Sequence, residues 1–122
     1  MTQSRQTLGK FGEDLACREL ERTGYEIVAR RYRRRGGEID IIARERGATV
    51  FVEVKAREGR EFGDGAEAVD SFKRRKLVMT ALDYLARAGL HETPCRFDVV
   101  SILLNDGTPI IEVYRNAFDA SC

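Results

Sequence analysis

The chain has 122 residues, enough for one compact domain with one core. A hydrophobic fraction of 43% beside 34% charged residues is a globular balance with a heavy charge load, not that of a disordered chain. A formal net charge of +1 excludes a protein that is basic throughout, and no apolar run approaches the ~20 residues needed to span a bilayer.

Leu8 to Arg22 has helical spacing. Leu8, Phe11, Leu15, Ala16 and Leu20 fall on one broad stripe, and Gly24 stops the helix. Glu13 sits at the edge of that stripe and Asp14 well outside it. Tyr25 to Arg33 predicts a strand. Gly36 and Gly37 connect it to a second strand, Ile39 to Ala43, and a turn near Gly47 leads to a third, Thr49 to Ala56. The three form a meander. Glu58 to Gly65 is a glycine-rich loop at a strand end, a common place for function. Ala66 to Ala88 predicts the second helix, with Phe72, Val78, Met79, Leu82, Leu85 and Ala86 covering one side. Gly89 ends it and Pro94 blocks a restart. Cys95 to Leu104 predicts a strand, Asn105 to Gly107 a hairpin turn, and Pro109 to Arg115 the returning strand. The order α-β-β-β-α-β-β over 1–122 is a single α/β domain. Its strand–helix–strand crossover requires a parallel pair inside a mixed sheet.

The third strand carries an anomaly. Val50, Val52 and Val54 point to one face, and Phe51, Glu53 and Lys55 to the other. The run is too apolar for an exposed edge, so both charges are partly desolvated. Desolvation costs several kcal/mol unless an ion is paired or coordinates a metal. Residues two apart on a strand lie ~7 Å apart along it, so a tight Glu53–Lys55 pair depends on side-chain reach. Asp40 interrupts the second strand, where an apolar residue would fit. The meander sets Asp40 beside Glu53. Two carboxylates held together raise each other's proton affinity unless a cation sits between them. Their oxygens suit Mg²⁺, and Lys55 could orient a water or offset charge on a phosphate.

Asp40, Glu53 and Lys55 give the spacing D-x(12)-E-x-K, which resembles the PD-(D/E)xK nuclease signature. The likeness extends further. "GKFGEDLACRELERTGYEIVARRYRRRGGEIDIIARERGATVFVEVKAR", "FGDGAEAV", "RFDVVSI" and "RNAF" together resemble the YraN-like family of small bacterial proteins predicted to be endonucleases. The resemblance runs from Gly9 to Phe118. It implies a restriction-endonuclease-like fold, a mixed β-sheet flanked by helices. It also implies likeness to archaeal Holliday junction resolvases, whose site adds a glutamate from the first helix. Carried over by position, Glu13, Asp40, Glu53 and Lys55 are the catalytic residues, with Asp40, Glu53 and Glu13 holding Mg²⁺, or Mn²⁺ in its place. Ile39 stands where the wider signature has proline, and Arg31 where family members often have asparagine.

Two basic runs suggest an anionic partner: Arg30, Arg31, Arg33, Arg34 and Arg35 within "RRYRRR", and Lys73 within "KRRK". With Arg57 they are the expected contacts to DNA phosphates. The plainer reading of each run is a solvated face balanced by nearby acids. Glu13 alone reads as a helix-surface acid, Asp98 as an acid paired with an arginine, and Tyr32 as a packing residue. His91, the sole histidine, reads as a surface residue.

The three cysteines, Cys17, Cys95 and Cys122, include no CxxC pair and point to reduced thiols. No signal-like apolar block opens the chain, so a cytoplasmic location is expected. The expectation is a Mg²⁺-dependent endodeoxyribonuclease acting on branched or structured DNA, and a homodimer would suit cutting two strands. The alternatives are a non-catalytic nucleic-acid-binding module with a nuclease-like fold, and an assembly protein with a buried Glu–Lys pair.

Overall fold

The computed structural model describes residues 2–58, 71–105 and 107–117, the side chains of 2–8 and 71 excepted. The predicted loop from Glu58 to Gly65 lies almost wholly outside the described residues. So do the start of the predicted second helix, Asp106 of the hairpin turn and the C-terminal 118–122.

Two helices and five strands follow in the predicted order. They are α1 (Thr2–Arg22), β1 (Glu26–Arg34), β2 (Gly37–Glu45), β3 (Ala48–Glu58), α2 (Ser71–Ala88), β4 (Cys95–Leu104) and β5 (Ile110–Tyr114). The sheet order is β1-β2-β3-β4-β5. β3 and β4 are parallel and every other neighbouring pair is antiparallel, as the crossover requires. α1 starts about six residues before the predicted Leu8, since no helix breaker precedes Gly9.

The alternation of β3 divides the core into two layers. Val50 and Val52 pack with Ile41, Ala43, Val100 and Ile102 against Ala16, Cys17 and Leu20 of α1. Phe51 packs with Ile39, Ile42, Phe97 and Val99 against Leu77, Ala81 and Leu85 of α2. Each of the Val, Leu, Ile and Phe side chains among them contributes roughly 1.5–3 kcal/mol by leaving water. Both helices end as their glycines predict. Gly24 has φ 105° and Gly89 φ 71°, and the Tyr25 and Leu90 amides donate back to the Leu20 and Leu85 carbonyls at 2.9 and 2.7 Å. The β2–β3 turn is a two-residue one, with Arg46 at φ 51° and Gly47 at φ 82°.

On α1 the predicted Leu15, Ala16 and Leu20 do face the core, and the structure corrects Phe11 and most of the face assigned to α2. Phe11 is 49% exposed, although it falls on the apolar stripe of α1. On α2, Phe72, Met79 and Leu82 are 61%, 68% and 51% exposed, and Ala86 is exposed too. The inward face is Leu77, Thr80, Ala81 and Leu85. Close approach explains the choice: a Cβ on Gly37 of β2 would lie 3.2 Å from Thr80 Oγ1, so small residues must face the sheet there. α1 packs equally close, since a Cβ on Gly12 would lie 2.8 Å from Ala56 Cβ on β3.

Asp98 is 1% exposed and paired with an arginine, as its plainer reading holds. It accepts from Tyr25 Oη at 2.7 Å, Arg96 Nε at 2.9 Å and the Asn116 amide at 2.9 Å. Arg96 also donates to Glu45 at 2.7 Å, and Arg115 donates to the other Glu45 oxygen. Burial pushes the Glu45 carboxyl up, but the two guanidiniums outweigh it and hold the group below its ordinary range. Burial and the Asp98 carboxylate push Tyr25 up to about 12, so its hydroxyl stays a donor.

Candidate active site

β2 and β3 pair from Glu45 opposite Ala48 up to Ile41 opposite Val52. Continuing that register would set Ile39 opposite Val54, but β2 parts from β3 first and stays paired with β1 as far as Gly37. Ile41 packs toward α1 and Ile39 toward α2, whereas residues two apart on a regular strand share a face. The alternation therefore breaks at Asp40. β1 breaks at the same level: Ala29 and Tyr32, three apart, both pack toward α2. Between them Arg31 has φ 54°. That left-handed region is rare for arginine and best tolerated by glycine and asparagine, a backbone reason for the asparagine that the resemblance leads one to expect.

The departure leaves the Val54 amide without its ladder partner, and Asp40 Oδ2 accepts from it at 2.8 Å. A strand residue's N–H and C=O share one edge, so the Val54 carbonyl faces the same gap. Asp40 is pushed up to about 7, first by burial and then by the Glu53 charge, with Glu13 adding a smaller push. Asp40 and Glu53 thus feel each other's charge at the point where the strands part.

Glu53 is 9% exposed and has two cationic neighbours. Lys55 Nζ lies 3.7 Å from its Oε1, so side-chain reach closes the spacing along the strand. Lys73 Nζ, arriving from α2, lies 3.1 Å from the same oxygen. Burial and the adjoining Lys73 push Lys55 below the ordinary lysine range. Burial opposes the Lys73 charge, but contact with Lys55 and the Glu53 carboxylate raise its pKa overall. Sequence reasoning placed Lys73 among phosphate contacts and missed its place here. No residue within "KRRK" signals by itself which base turns inward.

Glu13 is buried on the α1 side and lines an open cleft of about 810 Å³ with Lys10, Phe11, Asp14 and Arg31. Its Oε1 accepts from Arg30 Nε at 3.1 Å and from Arg31 Nε at 3.3 Å. It reaches Asp40 by charge only. Other arginines of the run are also paired: Arg33 with Glu38 at 2.7 Å, Arg34 with Asp83 at 3.1 Å, and Arg30 again with Asp14 at 2.8 Å. Arg35 is exposed, and Arg57 is half-buried on β3 beyond Lys55. Most of the run is therefore balanced locally by acids, its plainer reading. Tyr32 packs edge-on against Tyr84 at 5.3 Å and donates to Asp83 at 2.8 Å, and His91 is exposed.

Among the described residues, no three of His, Cys, Asp and Glu stand together so as to hold a metal ion. The pair Asp40 and Glu53 nevertheless fits a hard divalent cation. Asp40 bears the proton-affinity cost of a carboxylate pair, and Glu53 already draws ammonium groups to one oxygen. Mg²⁺ commonly takes one or two carboxylates and keeps several waters, so Asp40, Glu53 and the Val54 carbonyl are the groups that would hold it. Glu13 could join only by parting from its arginines.

Fold and site together define a three-layer α/β protein with a carboxylate–lysine cluster where two strands diverge. The chain belongs to the uncharacterised protein family UPF0102, whose model matches residues 12–102. It is 47% identical over 114 residues to the UPF0102 protein of Symbiobacterium thermophilum, covering 93% of this chain and 97% of that one. It is 48% identical over 112 residues to that of Rhodococcus jostii, covering 91% and 95%. With that of Geobacter metallireducens it shares 44% over 119 residues, covering 98% of each. Among the described residues no helix is long and apolar enough to cross a membrane.

Proposed function

We propose that the protein is a Mg²⁺-dependent endonuclease that hydrolyses DNA phosphodiester bonds, with branched or structured DNA as its substrate. The observation that carries this reading is the Asp40–Val54 hydrogen bond beside the Glu53–Lys55 ion pair at the β2–β3 divergence, in the D-x(12)-E-x-K spacing. Asp40, Glu53 and the Val54 carbonyl would hold the metal. When bound, it supplies Lewis-acid polarisation of the phosphoryl oxygen and lowers the pKa of a water. Lys55 orients the attacking water and, as an ammonium, offsets charge on the phosphate. The Val54 amide fixes the Asp40 carboxylate, so the ligand is pre-oriented. The resemblance to junction resolvases supports the branched substrate and implies 3′-hydroxyl and 5′-phosphate products.

The test is to incubate the protein with junction, flap and single-stranded DNA plus Mg²⁺ or Mn²⁺. Cutting by the wild type and its loss in Asp40→Ala and Glu53→Ala are expected. Equal cutting by both variants overturns the assignment.

A second reading, a nucleic-acid-binding module that does not cut, is favoured by one observation: Glu13 and Glu53 are both held by cations of the same chain. Salt-dependent DNA binding with no heat of metal binding would select it.

A further inference from the structure

Lys73 and Lys55 converge on one oxygen, Oε1 of Glu53, at 3.1 and 3.7 Å. A divalent cation bridging Asp40 and Glu53 would enter beside two ammonium groups, and like charges at that range repel strongly in a partly buried site. One lysine must withdraw. Lys55 is the more enclosed, its side chain 23% exposed, and it is fixed two residues from Glu53 on the same strand. Lys73 is 37% exposed and stands near the start of the described part of α2, on a flexible four-carbon stem.

We infer that Lys73 holds the cation position of the carboxylate pair in the metal-free protein and must leave Glu53 for a divalent ion to bind. This rests on the metal site proposed above. α2 thus supplies a competitor for the metal. Without metal, Lys73 neutralises Glu53; with metal, its ammonium is released at the edge of the site, where a DNA phosphate can take it. The phosphate contact expected from the sequence and the Glu53 contact in the structure are then two positions of one side chain.

The test is Mn²⁺ binding by calorimetry at 0.15 M salt without DNA. It compares the wild type with Lys73→Met, Lys73→Gln, Lys76→Met and Asp40→Asn, each first shown to be folded by its melting curve. Two substitutions at position 73 guard against one that fails to fold. Lys76→Met removes an equal charge from the same helix, where Lys76 Nζ sits over the Phe72 ring at 4.8 Å. Because Lys73 and metal compete for one carboxylate, Lys73→Met and Lys73→Gln are expected to bind Mn²⁺ on the order of tenfold more tightly. Lys76→Met is expected to match the wild type, and Asp40→Asn to lose binding. Should Asp40→Asn lose binding while neither Lys73 variant binds more tightly than wild type, the inference is overturned and the metal site stands. Equal tightening by Lys76→Met also overturns it, since net charge alone would then explain the gain. If wild type and Lys73 variants all fail to bind Mn²⁺, the metal reading falls and takes this inference with it.

Discussion

Asp40 closes the edge of β3 that β2 has left, its carboxylate oxygen accepting from the Val54 amide at 2.8 Å. That one bond gives Asp40 two tasks: it completes the sheet and it holds an acid beside Glu53.

The second task makes the metal-free protein sensitive to pH. Asp40 rises from 3.8 to about 7, so the folded state binds its proton more tightly than the unfolded state does. The stability this confers is complete below pH 3.8 and is lost as pH climbs through about 7. The loss is at most about 4 kcal/mol for a shift of this size. Urea unfolding at pH 4.5 and pH 8, compared between wild type and Asp40→Asn, isolates it from other titrations. The wild type should lose more stability than the variant over that interval. Equal losses would show that Asp40 does not carry a raised proton affinity.

Gly12→Ala should destabilise the fold by roughly 1–3 kcal/mol, the usual cost of overpacking. The new methyl would meet Ala56 Cβ at 2.8 Å, backbone-bound atoms on both sides. Ala56 directly follows Lys55, so the displacement should reach the site as well. A denaturation midpoint equal to that of wild type would mean that α1 shifts without cost.

Asp98→Ala should cost about 3–5 kcal/mol, because it leaves Arg96 and the Tyr25 hydroxyl without their buried acceptor. Metal binding by the folded fraction should be unchanged, since Asp98 packs with the opposite face of β4 from the one beside Glu53. A loss of metal affinity without a loss of stability would reverse this assignment.

Arg31→Asn should leave stability within about 0.5 kcal/mol of wild type. Relief at a φ of 54° offsets the loss of an ion pair whose arginine is half exposed. Calorimetric melting would register the balance, and a loss above 1 kcal/mol would show that Arg31 is held for its charge.

The strands were legible because each carries β-prone residues between strong turn signals, and Asp40 and Glu53 stood out as charges in apolar runs. Helix phase was harder. On α2 the large apolar residues Phe72, Met79 and Leu82 outweigh the small ones in any reading by hydrophobicity. The fold instead turns Thr80 and Ala81 inward, because α2 must approach Gly37. The row Leu77, Ala81, Leu85, spaced by four with the small Ala81 at its centre, was the signal available. That same phase is what places Lys73 at Glu53. The arginine run misled in another way: its partners Glu13, Asp14, Glu38 and Asp83 come from three elements, and no local pattern announces them.

The arginine run has a consequence beyond ligands. β1 is an outer strand of the sheet, and an open outer strand invites another chain to pair with it. The guanidiniums of Arg30, Arg31, Arg33 and Arg34 make such stacking unfavourable along its last half, while the other outer strand, β5, is only 5 residues long. Replacing several of these arginines with neutral β-formers would remove a guard against polymerisation, whatever nucleic acid the protein meets.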